Sequence, residues 1–118
     1  MGSTLALLLS QQRLRVALCV KPPQASAGPD GHSDIRAYAL NAASRRLLEA
    51  VRAWPDATAT PDGAKSVTPV SRMTINGDQG GQIVFDAEAA GEPHLNWIVD
   101  VPALEARLAE ALRFQAYV

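Results

Sequence analysis

With 118 residues, 47% hydrophobic and 19% charged, the chain has room for one domain, which alone would bury roughly two-thirds of its unfolded surface. Eleven basic against twelve acidic residues leave a net charge of −1, which excludes the basic footprint of a nucleic-acid binder. One cysteine, Cys19, excludes an internal disulfide framework and fits a reducing compartment, and His32 and His94 stand too far apart to give a metal-ligand spacing.

Gly2–Gln12 is predicted to be a short helix, apolar on nearly every side through Leu5, Ala6, Leu7, Leu8 and Leu9, and therefore buried between layers. The Leu5–Leu9 run is far shorter than the ~20 residues a membrane span needs. It has no positive flank before it and no A-x-A site after it, and Ala6 replaces the Ser or Thr of a myristoylation signal. These features point to a cytoplasmic protein. Leu14–Val20 is a short, nearly continuous apolar run, the pattern of a strand covered on both faces in a parallel sheet. Lys21–Ser33, rich in Pro, Gly, Ser and Ala, is a predicted loop.

Asp34–Trp54 is the most informative stretch. Asp34–Leu40 is extended, and Asn41 can cap a helix with its side-chain oxygen. Ala43, Leu47, Leu48, Val51 and Trp54 recur at helical spacing as one apolar face, with Arg45, Arg46, Glu49 and Arg52 opposite. Pro55 stops the run. Arg36 is thereby left on irregular backbone just before the helix, either facing a ligand or simply solvated.

Pro55–Pro69 is a second predicted loop with a Pro61-Asp62-Gly63 turn. Val70–Asn76 and Gln82–Asp86 flank a glycine-rich turn, Gly77–Gly81, and are expected to form an antiparallel hairpin. After the Ala87–Pro93 connection, Leu95–Val101 is expected as a third strand beside that hairpin. Asp100 can cap a last helix, Pro102 suits its first turn, and Leu104, Leu108 and Leu112 form its stripe. Phe114–Val118 alternates like the opening of a strand. The resulting fold class is α/β with α+β character.

Two short arrangements invite a catalytic reading and fail it. The adjacent His32, Ser33 and Asp34 cannot all converge on one reacting atom. Cys19, placed inside an apolar strand, is expected to be inert, and Leu18 is too large to precede a lipobox cysteine.

Against the dinucleotide-binding fingerprint, Gly2 fits the third glycine, Ala6 and Leu9 the helix packing positions, and Val16 the second strand. Arg13 stands where a further glycine is usual at the helix–strand turn, and Val20 where a ribose-binding acid is expected. The first strand and first two glycines have no counterpart. The series Asp34, Arg36, Ala39, Leu40, Ser44, Leu47 and Leu48 closely resembles the second signature of the FAD-dependent ubiquinone-biosynthesis hydroxylases, relatives of para-hydroxybenzoate hydroxylase. Thr68–Met73, the Gly80-Gly81 strand pair ending in Phe85-Asp86, and Trp97–Asp100 before a leucine helix follow in that family's order, so the resemblance spans essentially the whole chain.

The resemblance implies a partial Rossmann-like FAD-binding domain. Residues 1–54 and 102–118 would form the Rossmann-like part, and residues 70–101 antiparallel strands on the substrate side. It implies FAD as cofactor, NAD(P)H as co-substrate, and hydroxylation of a polyprenylphenol, a phenolic quinone precursor. It also implies association with the inner-membrane periphery or a biosynthetic complex. Gly2 would sit near the FAD pyrophosphate, and Arg36 would reach the phosphate or ribityl side. Since the family's later Gly-Asp segment has no counterpart either, a fragment is expected that on its own binds FAD weakly or not at all and hydroxylates nothing. The other expectation is a small α+β protein-interaction module without catalytic activity.

Overall fold

The computed structural model describes residues 1–19, 34–55 and 65–118. Val20, the Lys21–Ser33 loop with His32 and Ser33, and the Pro61-Asp62-Gly63 turn lie outside the described residues. The elements run α1 (Gly2–Gln11), β1 (Ala37–Leu40), α2 (Ala42–Ala50), β2 (Val67–Val70), β3 (Arg72–Asn76), β4 (Gln82–Asp86), β5 (Asn96–Asp100) and α3 (Val101–Arg113). The chain therefore has the expected helix-plus-sheet character, and every described strand pairing is antiparallel.

Helix α2 starts as the sequence dictates, with the Asn41 side-chain oxygen accepting the Ser44 N–H at 2.9 Å. Its buried face is narrower than the spacing suggests. Leu48 and Val51 are buried, but Ala43 is exposed and Leu47 is 43% exposed. Helix α1 is likewise one-sided, burying Ala6, Leu7 and Ser10 while Leu5 stays 56% exposed. Its main packing partner among the described elements is α3.

Both helices end on a left-handed residue that is not glycine. Arg13 (φ 59°) and Arg52 (φ 58°) close α1 and α2 respectively. In α1, Arg13 N–H donates to Ser10 and Leu14 N–H to Leu9. In α2, Arg52 N–H donates to Glu49 and Ala53 N–H to Leu48. Each is a Schellman closure that satisfies free carbonyls. Arg13 thus holds a backbone conformation that favours glycine.

Three strands form one sheet in the order β1-β5-β2, and β3-β4 form a separate hairpin. Strand β5 therefore lies between β1 and β2, not beside the hairpin. Its register aligns Leu40 with Trp97 and Tyr38 with Val99 on one side, and Val67 with Val99 on the other. Trp97, Val99, Val67, Leu48, Val51, Ala53, Leu7 and Leu104 make the core. Leu108 and Leu112 pack against it, as their spacing predicts.

Strand β2 takes Val67–Pro69 from the end of the expected Pro55–Pro69 loop and Val70 from the expected strand. Pro69 disfavours a strand reading, but β2 is an edge strand, where proline is tolerated. Ser71 separates β2 from β3, so the expected Val70–Asn76 strand is two pieces. The described part of Leu14–Val20 is not a strand, and Leu14 and Cys19 are exposed. An extended segment needs a partner ladder; here Val16 N–H makes a single backbone bond, to Tyr117 at 2.8 Å. The end of the chain is also not a strand. After α3 it turns, with Gln115 N–H bonded to Leu112, and Phe114 is 81% exposed.

Candidate functional site

Arg36 lies one residue before β1, and its backbone is held at both ends. Its N–H donates to Asp34 Oδ1 at 3.1 Å. Its carbonyl accepts the Val101 N–H, the first residue of α3, at 3.0 Å. The neighbouring ladder bonds of β1 with β5 extend this anchorage.

The guanidinium meets the Asp34 carboxylate side-on, with Nε–Oδ1 at 2.9 Å and Nη2–Oδ2 at 2.6 Å. The Arg36 side chain is 64% exposed and that of Asp34 24%. Hydrogen bonds from the Arg36 side chain, then from its backbone N–H, hold the Asp34 carboxyl down at about 2. The same side-chain bond, and the charge of Asp34, push Arg36 still higher, so it stays cationic. A planar fork on fixed backbone can bind a phosphate side-on, provided the phosphate displaces Asp34.

Gly2 opens α1 at the protein surface. Met1 supplies no side-chain cap, so the first N–H groups of the helix have no side-chain acceptor there. Among the described residues a Cβ at Gly2 would meet only Leu18 Cδ1, at an ordinary 3.6 Å. The fold itself therefore does not require glycine at that position. Both sequence-derived site residues are exposed, and no hydrogen bond joins Gly2 to Arg36. Cys19 is exposed, contrary to its expected place inside a buried strand.

A cluster that sequence reading missed surrounds Trp97. Trp54 and His94 both meet its ring edge-on, with centroids 6.3 and 5.6 Å away. The Arg45 guanidinium lies 4.7 Å from the Trp97 centroid and 5.4 Å from that of Trp54. Glu49 holds the same guanidinium through Nε at 2.7 Å. His94 Nδ1 is buried here without a hydrogen-bond partner, as is Asn96 Oδ1 at the start of β5. The i,i+4 spacing of Arg45 and Glu49 could have pointed to their pairing. Convergence of Trp54 and Trp97 depends on α2 folding over the sheet, which no local pattern encodes.

Among the described residues no group of three His, Cys, Asp or Glu could hold a metal ion, and no helix is long and apolar enough to cross a membrane. No family model and no curated protein matches the chain.

Proposed function

We propose that this chain binds FAD through Arg36, as part of an FAD-dependent aromatic-ring monooxygenase that hydroxylates a polyprenylphenol intermediate of ubiquinone biosynthesis. The observation that carries the proposal is the Arg36 side chain, which is permanently cationic and mostly exposed on backbone fixed to α3 and preceding β1. The ordered resemblance of the sequence supplies the identity of the ligand.

FAD, reduced by NAD(P)H, would supply the oxygen-activating chemistry. Arg36 would hold a phosphate oxygen pair in place of the Asp34 carboxylate. Gly2 would present the uncapped start of α1 to the pyrophosphate, where helix N–H groups favour negative charge. The proposal covers cofactor binding and assigns no residue to the hydroxylation step.

A flavin-fluorescence titration of the purified chain with FAD tests this. Weak but saturable quenching that falls with added salt would support the proposal. The second reading, a protein-interaction module without catalytic activity, is favoured by one observation. Ile75, Ile83 and Phe85 on the β3–β4 hairpin are each about half exposed. Absence of quenching from a chain that melts cooperatively would favour that reading instead.

A further inference from the structure

Among the described residues strands β3 and β4 pair only with each other, which leaves the outer edge of each open there. Their register puts Met73 opposite Phe85 and Ile75 opposite Ile83 on one face. Thr74 opposite Val84 lies on the other. The hairpin is closed by Gly77 N–H to Gly81 and continued by Ala87 N–H to Ser71. These bonds set the phase of the ladder. Ile83 and Phe85 turn their backbone groups toward β3, while Gln82, Val84 and Asp86 turn theirs outward.

From this edge we infer that β4 is a homodimerisation strand, pairing antiparallel with β4 of a second copy about a two-fold axis at Val84. The inference does not depend on FAD. Centring the register on Val84 sets Ile83 against Phe85 of the other copy, and Phe85 against its Ile83. Both are β-branched–aromatic cross-strand pairs, a favourable combination. Asp86, the one charge in β4, falls opposite Gln82, so no like charges meet. The outward residues of each copy supply about four backbone hydrogen bonds, because the Asp86 carbonyl already accepts the Ala90 N–H at 3.2 Å.

The other edges fit this role less well. Pro69 interrupts the donors of β2, and β1 has only four residues. Strand β3 carries Arg72 and Asn76 at its ends and lacks an aromatic residue. Within β4, Ile83-Val84-Phe85 is unbroken by charge or proline, and these three residues are 59%, 42% and 47% exposed. A two-fold pairing is self-complementary and closes after two copies. Pairing five residues along one edge buries less than a standard interface, so a dissociation constant on the order of 10⁻⁴ M is expected.

Sedimentation equilibrium of the full chain from about 10 µM to about 1 mM tests the inference against two variants. Val84→Lys places two cations against each other on the axis and should weaken dimerisation about tenfold or more. Thr74→Lys adds the same charge to the same hairpin face one strand away and should leave dimerisation within about twofold. Far-UV circular dichroism establishes that each variant keeps the fold. In a Cys19→Ala background, Val84→Cys should form a symmetric disulfide dimer, because opposed hydrogen-bonded residues lie within disulfide reach. The inference is overturned if the wild type stays monomeric throughout the range or assembles beyond a dimer. Equal loss in both lysine variants, or loss in Thr74→Lys alone, also overturns it.

Discussion

The guanidinium of Arg45 stacks over the ring of Trp97 at 4.7 Å while its Nε is held by Glu49, so α2 is clamped to the central strand of the sheet by a cation on an aromatic face. Trp97 is buried and Arg45 about one-third exposed, which places this contact at the rim of the core. Arg45→Met keeps an unbranched stem over the ring and removes the charge. It should destabilise the fold by about 0.5–2 kcal/mol, read as a lower urea midpoint at unchanged slope. Tryptophan fluorescence follows the transition, since both tryptophans lie in the cluster. No change in midpoint would show the contact to be energetically idle.

Arg13 and Arg52 occupy left-handed backbone, where an L side chain is strained and glycine is not. Each of Arg13→Gly and Arg52→Gly should stabilise the chain by up to about 1 kcal/mol. The gain is reduced by lost attraction between the cation and the helix C-terminus, and by the greater freedom of glycine in the unfolded chain. Thermal melts of the two variants check this. Destabilisation by both would mean that the side chains hold the helix ends together.

The pH behaviour of Asp34 follows from its partner. Its carboxyl is held at about 2, below its ordinary range, so whatever the pair contributes is complete above the unfolded value near 3.8. That contribution is lost as pH falls through about 2. Side-chain carbonyl NMR should give the low midpoint in the wild type and a return toward 3.8 in Arg36→Ala. Stability above pH 5 should not respond to this group, because its titration is finished there.

Much of the local structure was legible because it rests on short-range chemistry. The Asn41 cap, the Pro102 helix start, the leucine stripe of α3 and the Gly77–Gly81 turn each depend on residues within one helical turn or one hairpin. Gly80, with φ 85°, supplies the backbone conformation that this turn needs. The arrangement of strands was not legible. That β5 pairs with β1 and β2 is a contact across dozens of residues, and its apolar pattern suits a hairpin neighbour equally well. Strand β2 was hidden by Pro69, whose missing N–H matters only if the strand is central. The Leu14–Val20 run failed in the opposite way. Its apolar composition suggested burial, yet its described part finds no ladder and remains largely at the surface.

At the candidate site, the charge and irregular backbone of Arg36 are legible in the sequence, whereas its pairing with the Asp34 carboxylate emerges only from the folded geometry. That carboxylate sets the sharpest test. If Arg36 binds the FAD phosphate, Asp34 is its competitor, and the two residues must affect binding in opposite directions. Fluorescence titration with FAD should show tighter binding for Asp34→Asn and several-fold weaker or no binding for Arg36→Ala, relative to wild type at the same salt. Equal affinities in all three proteins, or loss in both variants, would contradict the assignment of Arg36 as the FAD-binding cation.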